Sequence, residues 1–396
     1  MLRNKTVVIG VTGSIAAYKM ANVVSMLVKL GADVNVIMTR NAANFINPIT
    51  FETLTGNKCL TDTFDRNFEF KVGHVGIAAK ADIFLIAPAT ANIIGKIANG
   101  IADDMLSTTV MAAKCPVLIA PAMNNNMYDN KIVQRNIRLL EEYGYGIITP
   151  ATGYLACGTT GTGKLANETT LVEHIVKSIA RTKDMSGKTV LVTAGPTIEK
   201  IDPVRYITNH SSGKMGYAIA KMAVLRGANV ILVSGPVNLT PPLGCEVVSV
   251  ESASDMFREV VSRSKECDII VKCAAVADYR PKTIADHKLK KNDSDLSIEL
   301  ERTEDILKYL GENRKAGQVI CGFSMETDNL IENSRQKLIK KNVDMIAANS
   351  LNDEGAGFKT DTNKVTLITR TGEKELPLMT KEDAADVILT EMMSII

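Results

Sequence analysis

Residues 7–19, VVIGVTGSIAAYK, run from a short apolar stretch into a glycine-rich turn and then into a helical pattern over residues 16–30. Residues 190–200, VLVTAGPTIEK, begin the second half in the same way. A β-branched strand that turns directly into a helix is typical of parallel sheets covered by helices. The two openings are alike only in type, so they predict an α/β fold with two Rossmann-like domains and no repeat array.

More strand candidates alternate with helical stretches through both halves. In the first half they cover residues 6–11, 34–39, 83–87, 117–120 and 146–149. In the second half they cover residues 189–193, 230–234, 269–273, 319–323 and 345–348, with a hairpin of 364–369 and 373–377 and a closing helix from Lys381. The polar segment 180–188, ARTKDMSGK, marks the boundary. We therefore predict domains of residues 1–182 and 188–396.

The composition excludes several classes of protein. Among the 396 residues, 46 basic and 44 acidic side chains nearly cancel, so no long-range field favours nucleic acid or an anionic membrane. Seven cysteines without a C-x-x-C pair argue against a disulfide framework or a zinc site. No signal peptide and no run of 18 apolar residues is evident. We expect a cytoplasmic protein with small-molecule partners, no nucleic acid and no membrane.

Three turns of the first half follow predicted strands, namely residues 10–14 (GVTGS), 87–92 (APATAN) and 121–124 (PAMN). Each alone is explained equally well by a phosphate site or by an ordinary helix cap. Ligands of open α/β sheets bind outside the carboxyl ends of the strands, where all three turns would lie. Their convergence favours a mononucleotide site over simple capping.

His74 and a glycine-rich segment are further candidates. His74 lies between glycines in KVGHVG, where neither helix nor strand is favoured, so a chance loop histidine and a proton-transfer residue are both open. His174 looks like an ordinary helix residue. Residues 158–165, GTTGTGKL, begin like a P-loop, but Leu165 offers no hydroxyl for magnesium. Residues 154–164 instead predict a mobile flap that carries Cys157 into the site.

The second half carries polar turns suited to a phosphorylated substrate. Residues 193–199 and 207–216 place hydroxyls, glycines and Lys214 before a helix predicted at 217–226, although a capped glycine-rich loop is the alternative. Residues 274–281, AAVADYRP, end a strand and precede the lysine cluster 288–291. Such clusters are usually solvated, yet a triphosphate needs positive charge. The remaining candidates are Lys337 and Lys341 on one helix face, and Phe323 as either a base cover or a core aromatic.

Together these motifs resemble a known family. Gly13-Ser14-Ile15, His74, residues 88–92, residues 121–127 and Ala156-Cys157-Gly158 are similar, in order and spacing, to the motifs of flavin-containing cysteine decarboxylases. Over its whole length the chain resembles the bacterial bifunctional phosphopantothenoylcysteine decarboxylase and phosphopantothenate–cysteine ligase family. The resemblance implies an FMN-binding flavoprotein domain followed by a nucleotide-binding ligase domain.

For the first half, the resemblance implies oxidation of the substrate's cysteine moiety by FMN to a thioaldehyde, loss of carbon dioxide, and reduction of the resulting enethiol. It implies that His74 assists the decarboxylation, that Asn124 holds the substrate carboxylate and that Cys157 donates a proton. The residues implied to line FMN are Gly13, Ser14, Thr39, Phe45, Thr90 and Asn92.

For the second half, the resemblance implies that CTP activates 4'-phosphopantothenate as an acyl cytidylate, from which the cysteine amine displaces CMP. Lys288 matches the lysine of the activation step, and Asn209 matches an asparagine linked to attack on the intermediate. Mg²⁺ is implied by triphosphate chemistry, with its ligands unassigned. The residues matched to nucleotide contacts are Ala274, Asp278, Lys288, Glu304, Asp305, Ile306, Leu307, Phe323, Lys337 and Lys341.

The family also implies a homo-oligomer, a dodecamer in which trimers of the first half are joined by dimers of the second. Two other functions compete. A nicotinamide-dependent dehydrogenase is disfavoured because G-x-G-x-x-G is missing. A non-catalytic flavoprotein that serves as a regulatory or binding subunit would not need His74, Cys157 and Lys288 together, so their joint presence favours an enzyme.

Overall fold

The structure is a computed structural model that describes residues 1–64, 73–154, 158–290, 297–326, 329–350, 357 and 360–396. The chain divides into two compact units, Met1–Arg181 and Thr182–Ile396. Each unit contains a mainly parallel sheet with helices packed on it, which confirms the predicted α/β class. None of the helices in these ranges is both long and apolar enough to cross a membrane.

The first unit is built on a five-stranded parallel sheet with the order β2-β1-β3-β4-β5. The strand bounds are β1 Thr6–Val11, β2 Asp33–Met38, β3 Ile83–Ala89, β4 Val117–Pro121 and β5 Gly146–Ile147. All seven residues of β3 are buried. The chain reverses its direction of travel across the sheet between β1 and β3, which is where such sheets bind ligands.

Helices cover this sheet, and one hairpin lies outside it. The 3₁₀ helices span Ile15–Lys19 and Ala42–Asn44. The hairpin strands β6 Ala151–Tyr154 and β7 Thr160–Lys164 are antiparallel. The α-helices are α1 Met20–Lys29, α2 Pro48–Thr55, α3 His74–Lys80, α4 Ala91–Ala98, α5 Met105–Ala112, α6 Asn125–Tyr128, α7 Lys131–Glu142 and α8 Glu168–Ile179.

The second unit is built on an eight-stranded sheet with the order β12-β11-β8-β13-β16-β17-β19-β20. Six strands are parallel, and β19 and β20 add an antiparallel hairpin at one edge. The sheet strands are β8 Thr189–Ala194, β11 Asn229–Ser234, β12 Cys245–Ser249, β13 Ile269–Lys272, β16 Val319–Glu326, β17 Met345–Ser350, β19 Thr366–Thr369 and β20 Glu373–Glu375.

Helices and three short ribbons complete this unit. The ribbons pair β9 Ile198–Lys200 with β10 Tyr206–Thr208, β14 Tyr279–Pro281 with β15 Leu300–Arg302, and β18 Thr362–Asn363 with β21 Met379–Thr380. The helices are α9 Lys214–Leu225, α10 Ala253–Ser264, α11 Ile306–Asn313, α12 Leu330–Lys340 and α13 Lys381–Met393.

Several local predictions were wrong. His74 does not lie in a loop: Gly73 adopts an extended conformation and His74 begins α3, whose Ile77 and Ala78 are buried. The helix predicted over 16–30 is a 3₁₀ turn followed by α1. Helix α9 begins three residues early, at Lys214, because Gly213 takes the left-handed conformation (φ 76°) that permits the turn into the helix.

Candidate active sites

A buried threonine joins two turns of the first unit at the point where the strand order reverses. Thr12 follows β1, Thr90 follows β3, and only 2% of Thr12 is exposed. The Thr12 hydroxyl donates a hydrogen bond to the Pro88 carbonyl oxygen (2.6 Å), and the Thr90 amide donates one to the Thr12 hydroxyl (3.2 Å). This hydroxyl fixes the spacing of the two turns. Sequence reasoning included Thr12 in a turn but gave it no role.

The predicted cofactor residues follow the carboxyl ends of the first three strands. Ser14 caps the 3₁₀ helix after β1, accepting from the Ala16 amide at 3.4 Å. Thr39 follows β2 directly, and the Thr90 hydroxyl caps α4. Only glycine fits at position 13, because the segment after β2 packs closely against it and a Cβ there would lie 2.7 Å from the Asn41 Cβ. The remaining two predicted residues, both exposed, are Phe45 and Asn92.

The loop after β4 is held against the β6/β7 hairpin. The Met123 amide donates to the Gly163 carbonyl at 2.9 Å. Gly163 has φ 138°, and a Cβ there would lie 2.4 Å from the Met123 carbonyl oxygen. The neighbouring Asn124 caps α6 by accepting from the Asn126 amide at 2.8 Å. Asn124 therefore sits beside the hairpin whose connection contains Cys157, which lies outside the described residues together with Leu155 and Ala156.

His74 stands apart from this group. It is half-buried at the start of α3. Within the ranges that the structure describes, no hydrogen bond links His74 to Asn124 or to the turn residues. Among the described residues, the structure thus brings the predicted cofactor residues to one edge of the sheet and shows no hydrogen bond from them to His74.

The second unit contains two adjoining cavities at the carboxyl edge of its sheet. One, here called the α11 cavity, has a volume of about 580 Å³ and includes the start of α11 in its lining. The other, here called the α9 cavity, has a volume of about 380 Å³ and includes the start of α9. Five residues line both: Lys272, Val276, Asp278, Phe323 and Lys337.

Most residues matched to nucleotide contacts line these cavities. The α11 cavity has in its lining Asp278, Glu304, Asp305, Ile306, Leu307, Phe323, Lys337 and Lys341. Ala274 and Asn209 line the α9 cavity. Lys288 is exposed and is not among the residues that line either one. Their roles in binding stay predictions.

The α11 cavity has an excess of positive charge, with six basic side chains against three carboxylates in its lining. Lys337 donates to the Phe323 carbonyl oxygen at 3.1 Å, and Lys341 pairs with Asp305. Burial raises the pKa of Asp305, but its hydrogen bonds with Lys341 and with the Lys308 amide outweigh burial, so the pKa is lowered. The carboxylate stays ionised, and the cavity suits a polyanion such as a triphosphate.

The α9 cavity is built for a smaller anion. Gly213 precedes α9 without a side-chain cap, and the start of the helix borders the cavity, with Ser212, Lys214 and Gly216 in the lining. An uncapped helix start offers backbone amides to an anion. Lys381 is buried in the same wall and donates to the carbonyl oxygens of Gly357 (2.9 Å), Thr362 (3.2 Å) and Thr360. Burial lowers the pKa of Lys381, and the charge of Lys214 adds to the effect.

Two threonines shape the wall between the cavities. The buried Thr193 hydroxyl accepts from the amides of Cys273 and Ala274, each at 3.1 Å. The Thr197 hydroxyl accepts from the Ala277 amide at 3.0 Å. The Asn209 side-chain amide donates to the Ala275 carbonyl at 3.0 Å. The turn after β13 is therefore fixed by Thr193 at the end of β8 and by Thr197 and Asn209, which follow β8 in the chain.

A buried carboxylate holds the segment that carries Lys288. Asp202 is 1% exposed and accepts from the amides of Val204 (2.8 Å) and Leu289 (3.1 Å). It also accepts from the Arg205 guanidinium, which in turn donates to the Leu289 carbonyl at 2.8 Å. Burial raises the pKa of Asp202, but these bonds prevail and keep it far below its usual range. Both the amide and the carbonyl group of Leu289, the residue after Lys288, are thus held by hydrogen bonds.

Lys272 is the site residue that sequence reasoning missed most clearly. It was counted within the buried strand 269–273, yet it lines both cavities. The available signal was a single charged residue at the end of the apolar run IIVK. Among the described residues, no group of three or more His, Cys, Asp or Glu side chains could hold a metal ion.

Two family models match the chain. Residues 1–180 match the family described as Flavoprotein, and residues 185–395 match the DNA/pantothenate metabolism flavoprotein C-terminal domain. Fold and comparison together define a flavoprotein domain followed by a second domain of pantothenate metabolism. The chain is 49% identical over 399 residues to the Coenzyme A biosynthesis bifunctional protein CoaBC of Bacillus subtilis (strain 168), covering 100% of this chain and 98% of that protein. The chain belongs to this family of bifunctional coenzyme A biosynthesis proteins.

Solved structures resemble each half. A crystal structure of the C-terminal domain of CoaBC is 49% identical and covers 54% of this chain and 98% of its own, with a TM-score of 0.47. A PPC decarboxylase mutant complexed with pantothenoylaminoethenethiol is 27% identical and covers 44% and 97%, with a TM-score of 0.40. Membership of the family, shown by the two family models and the full-length relative, confirms the predicted bifunctional enzyme, with a decarboxylase flavoprotein domain and a ligase domain, over a non-catalytic flavoprotein.

Proposed function

We propose that the second unit joins 4'-phosphopantothenate to cysteine at the expense of CTP, and that the first unit decarboxylates the product with FMN. The observation that carries the ligase assignment is the pair of adjoining cavities, one strongly cationic and one at an uncapped helix start. A reaction that joins a nucleotide to the carboxylate of a phosphorylated acid needs two such neighbouring anion sites. Residues 188–396 are assigned to this reaction and residues 1–182 to the decarboxylation.

The ligase reaction has two steps. A carboxylate oxygen bonds to the α-phosphorus of the nucleotide, and the bond from that phosphorus to the β-phosphate bridging oxygen breaks, releasing pyrophosphate. The cysteine amine then bonds to the acyl carbon, the carbon–oxygen bond breaks, and CMP leaves as the amine loses a proton. We assign the nucleotide to the α11 cavity and the phosphorylated acid to the α9 cavity. Asn209, which lines the α9 cavity and donates to the Ala275 carbonyl oxygen, is assigned to the attack of the cysteine amine on the intermediate.

The choice of CTP follows the resemblance to the bacterial ligases. Mg²⁺ is assigned to the triphosphate itself, which supplies oxygen ligands of the kind this ion prefers. The lining has three carboxylates, Asp278, Glu304 and Asp305; Asp305 is paired with Lys341, and Glu304 with Arg280. Mg²⁺ would therefore enter bound to the substrate, with few ligands from the protein.

FMN, when bound, supplies the electron sink of the decarboxylation. The switch point of the first sheet fits a mononucleotide, because Thr12 holds the two flanking turns together and the Ser14 and Thr90 hydroxyls lie at the helix starts that follow them. Asn124 is assigned to the substrate carboxylate, and His74 to the oxidative decarboxylation. Cys157 is assigned to donating a proton when the enethiol intermediate is reduced to the thiol product.

We also propose a cytoplasmic homo-oligomer, a dodecamer of trimers and dimers as in the family. The positions of two predicted catalytic residues support active sites that are completed by a second copy of the chain. His74 makes no hydrogen bond to the cofactor residues among those that the structure describes, and Lys288 is exposed outside both cavity linings. Residues placed in this way are what a site completed by a second copy would show.

Single substitutions separate the two activities. His74→Asn should stop carbon dioxide release while amide formation continues, and Lys288→Gln should stop pyrophosphate release while the flavin spectrum is unchanged. The measurement follows carbon dioxide, pyrophosphate and the visible spectrum in parallel on each variant. Loss of both reactions in either variant, or normal ligase turnover without Lys288, would contradict the assignment of one reaction to each unit.

A further inference from the structure

Lys272 occupies the wall between the two cavities of the second unit. It is the last residue of β13, a central strand, and it is in register with Thr193 of β8 and Gly322 of β16. Its side chain is one of the five that line both cavities. Of those five only Lys272 and Lys337 are cationic. Lys272 is therefore positioned where a ligand of one cavity would meet a ligand of the other.

The ammonium group of Lys272 is left with little compensation from the protein. Its Nζ donates to the Ala274 carbonyl oxygen at 3.3 Å, at the long end of hydrogen-bond distances. In the described part of the chain no carboxylate lies within ion-pair distance of it, whereas Lys341 in the same cavity is paired with Asp305. A confined ammonium without a carboxylate partner is poised to bind an anion.

Charged groups reach Lys272 from several elements. Lys337 on α12 opposes its positive charge, while Asp278 and also Asp305, at the start of α11, favour it. The neighbouring Cys273 would favour it only as a thiolate, and burial raises the pKa of this thiol to about 12. Burial is the largest effect and lowers the pKa of Lys272 to about 8. The group is thus cationic at neutral pH and loses its proton within the range in which the enzyme can be assayed.

We propose that Lys272 is a catalytic residue of the nucleotide-activation step, binding the substrate carboxylate and the α-phosphate together in the transition state. The proposal rests on the ligase function proposed above. It adds a cation that is distinct from Lys288, Lys337 and Lys341. Carboxylate and phosphate repel each other as they approach, and a cation placed between them offsets this repulsion where the charge is concentrated.

Lys272 keeps its proton throughout this step. The carboxylate oxygen forms a bond to the α-phosphorus, and the pyrophosphate leaves with the electron pair of the broken phosphorus–oxygen bond. No proton is transferred, so the ammonium acts by charge and hydrogen bonding alone. Arginine in its place would keep the charge, whereas methionine would keep much of the volume and remove the charge.

The test compares Lys272→Met, Lys272→Arg and the matched control Lys265→Met. Lys265 is exposed and caps the end of α10, before the amino end of β13 and away from the cavities. The assay is the single turnover of pyrophosphate release from CTP with 4'-phosphopantothenate and Mg²⁺, without cysteine, using the full chain. In this assay kcat denotes the rate constant of that turnover at saturating CTP, and KM the CTP concentration that gives half of it. We expect kcat of Lys272→Met to fall by roughly 10²- to 10³-fold, as for loss of one preorganised donor. The Kd for CTP should change much less.

The pH profile is the second readout. Wild-type kcat/KM for pyrophosphate release should fall above a pH of about 8 as Lys272 loses its proton in the free enzyme, and this limb should vanish in Lys272→Arg. Equal kcat for Lys272→Met and wild type would overturn the proposal, as would loss of amide formation with unchanged pyrophosphate release. If Lys272→Met does not fold, an alkaline limb retained in Lys272→Arg overturns it instead. Absence of nucleotide-dependent release in wild type would refute the proposed function itself.

Discussion

Replacing Thr12 by valine tests the bond between the two turns of the flavoprotein unit. Valine keeps the shape of the side chain but leaves the Pro88 carbonyl and the Thr90 amide without the hydroxyl that joins them. Each polar group left unpaired in a buried place costs about 1–3 kcal/mol. Because Thr90 is only half-buried, we expect a total of about 2–4 kcal/mol. For a unit of this size, that lowers the unfolding midpoint by roughly 4–16 °C.

The assay is thermal release of the bound flavin, followed by the rise in flavin fluorescence of the purified protein. Thr12→Ser is the matched control, because serine keeps the hydroxyl and loses only a methyl group, worth about 1 kcal/mol. Its midpoint should fall much less than that of Thr12→Val. Midpoints for the two variants within 1–2 °C (roughly the shift of 0.5 kcal/mol) would refute the structural role of the hydroxyl.

Three further substitutions probe the rest of the structure. Gly163→Ala should reduce decarboxylation about tenfold or more, because its Cβ would lie 2.4 Å from a carbonyl oxygen at φ 138°, and carbon dioxide release measures this. Asp202→Asn should lower the rate of pyrophosphate release about tenfold while the protein retains its flavin. The reason is that the neutral amide weakens the hydrogen bonds from Arg205 and from the Leu289 amide that hold the backbone next to Lys288. Arg226→Met should lower the stability of the second unit by about 2–3 kcal/mol in urea unfolding, because the arginine is buried and bonded to Asp184 and to α13.

Two of these variants, Gly163→Ala and Arg226→Met, have internal controls. Gly95→Ala adds a Cβ that would meet only a side-chain nitrogen at 3.7 Å, so it should leave carbon dioxide release intact. The hydrogen bond from Arg226 lowers the pKa of Asp184 from its usual 3.8, so the contribution of the pair is complete above that pH and is lost as the pH falls through the lowered value. Arg226→Met should abolish this acid dependence. An unchanged acid profile would contradict the pairing.

The sheets were predictable because their strands are short apolar runs with no competing pattern. β3 is entirely buried and β13 nearly so, and both appear in the sequence as continuous hydrophobic stretches. The edge strand β12 was missed because most of its residues are exposed and its sequence, CEVVS, is too polar to resemble a buried strand. The small ribbons of the second unit were missed because three-residue strands carry no periodicity.

The sites were less predictable than the fold, because they depend on contacts between residues distant in sequence. Thr12 and Pro88 are joined across 76 residues, and Asp202 and Leu289 across 87. Neither pairing leaves a local pattern. The sequence shows Lys272 as a charged residue at the end of a buried apolar strand, which is unusual. It does not show that this residue lines two cavities, because the cavities are formed by other parts of the chain.

The most direct measurement incubates purified protein with 4'-phosphopantothenate, cysteine, CTP and Mg²⁺, and follows CMP and 4'-phosphopantetheine by mass spectrometry with the flavin spectrum recorded. If the chain carries both activities, a yellow protein should give both products, with phosphopantothenoylcysteine formed by the second unit and consumed by the first. CMP and phosphopantothenoylcysteine without phosphopantetheine would confine activity to the second unit. If neither product forms, both the proposed ligase activity and the proposed decarboxylase activity are contradicted.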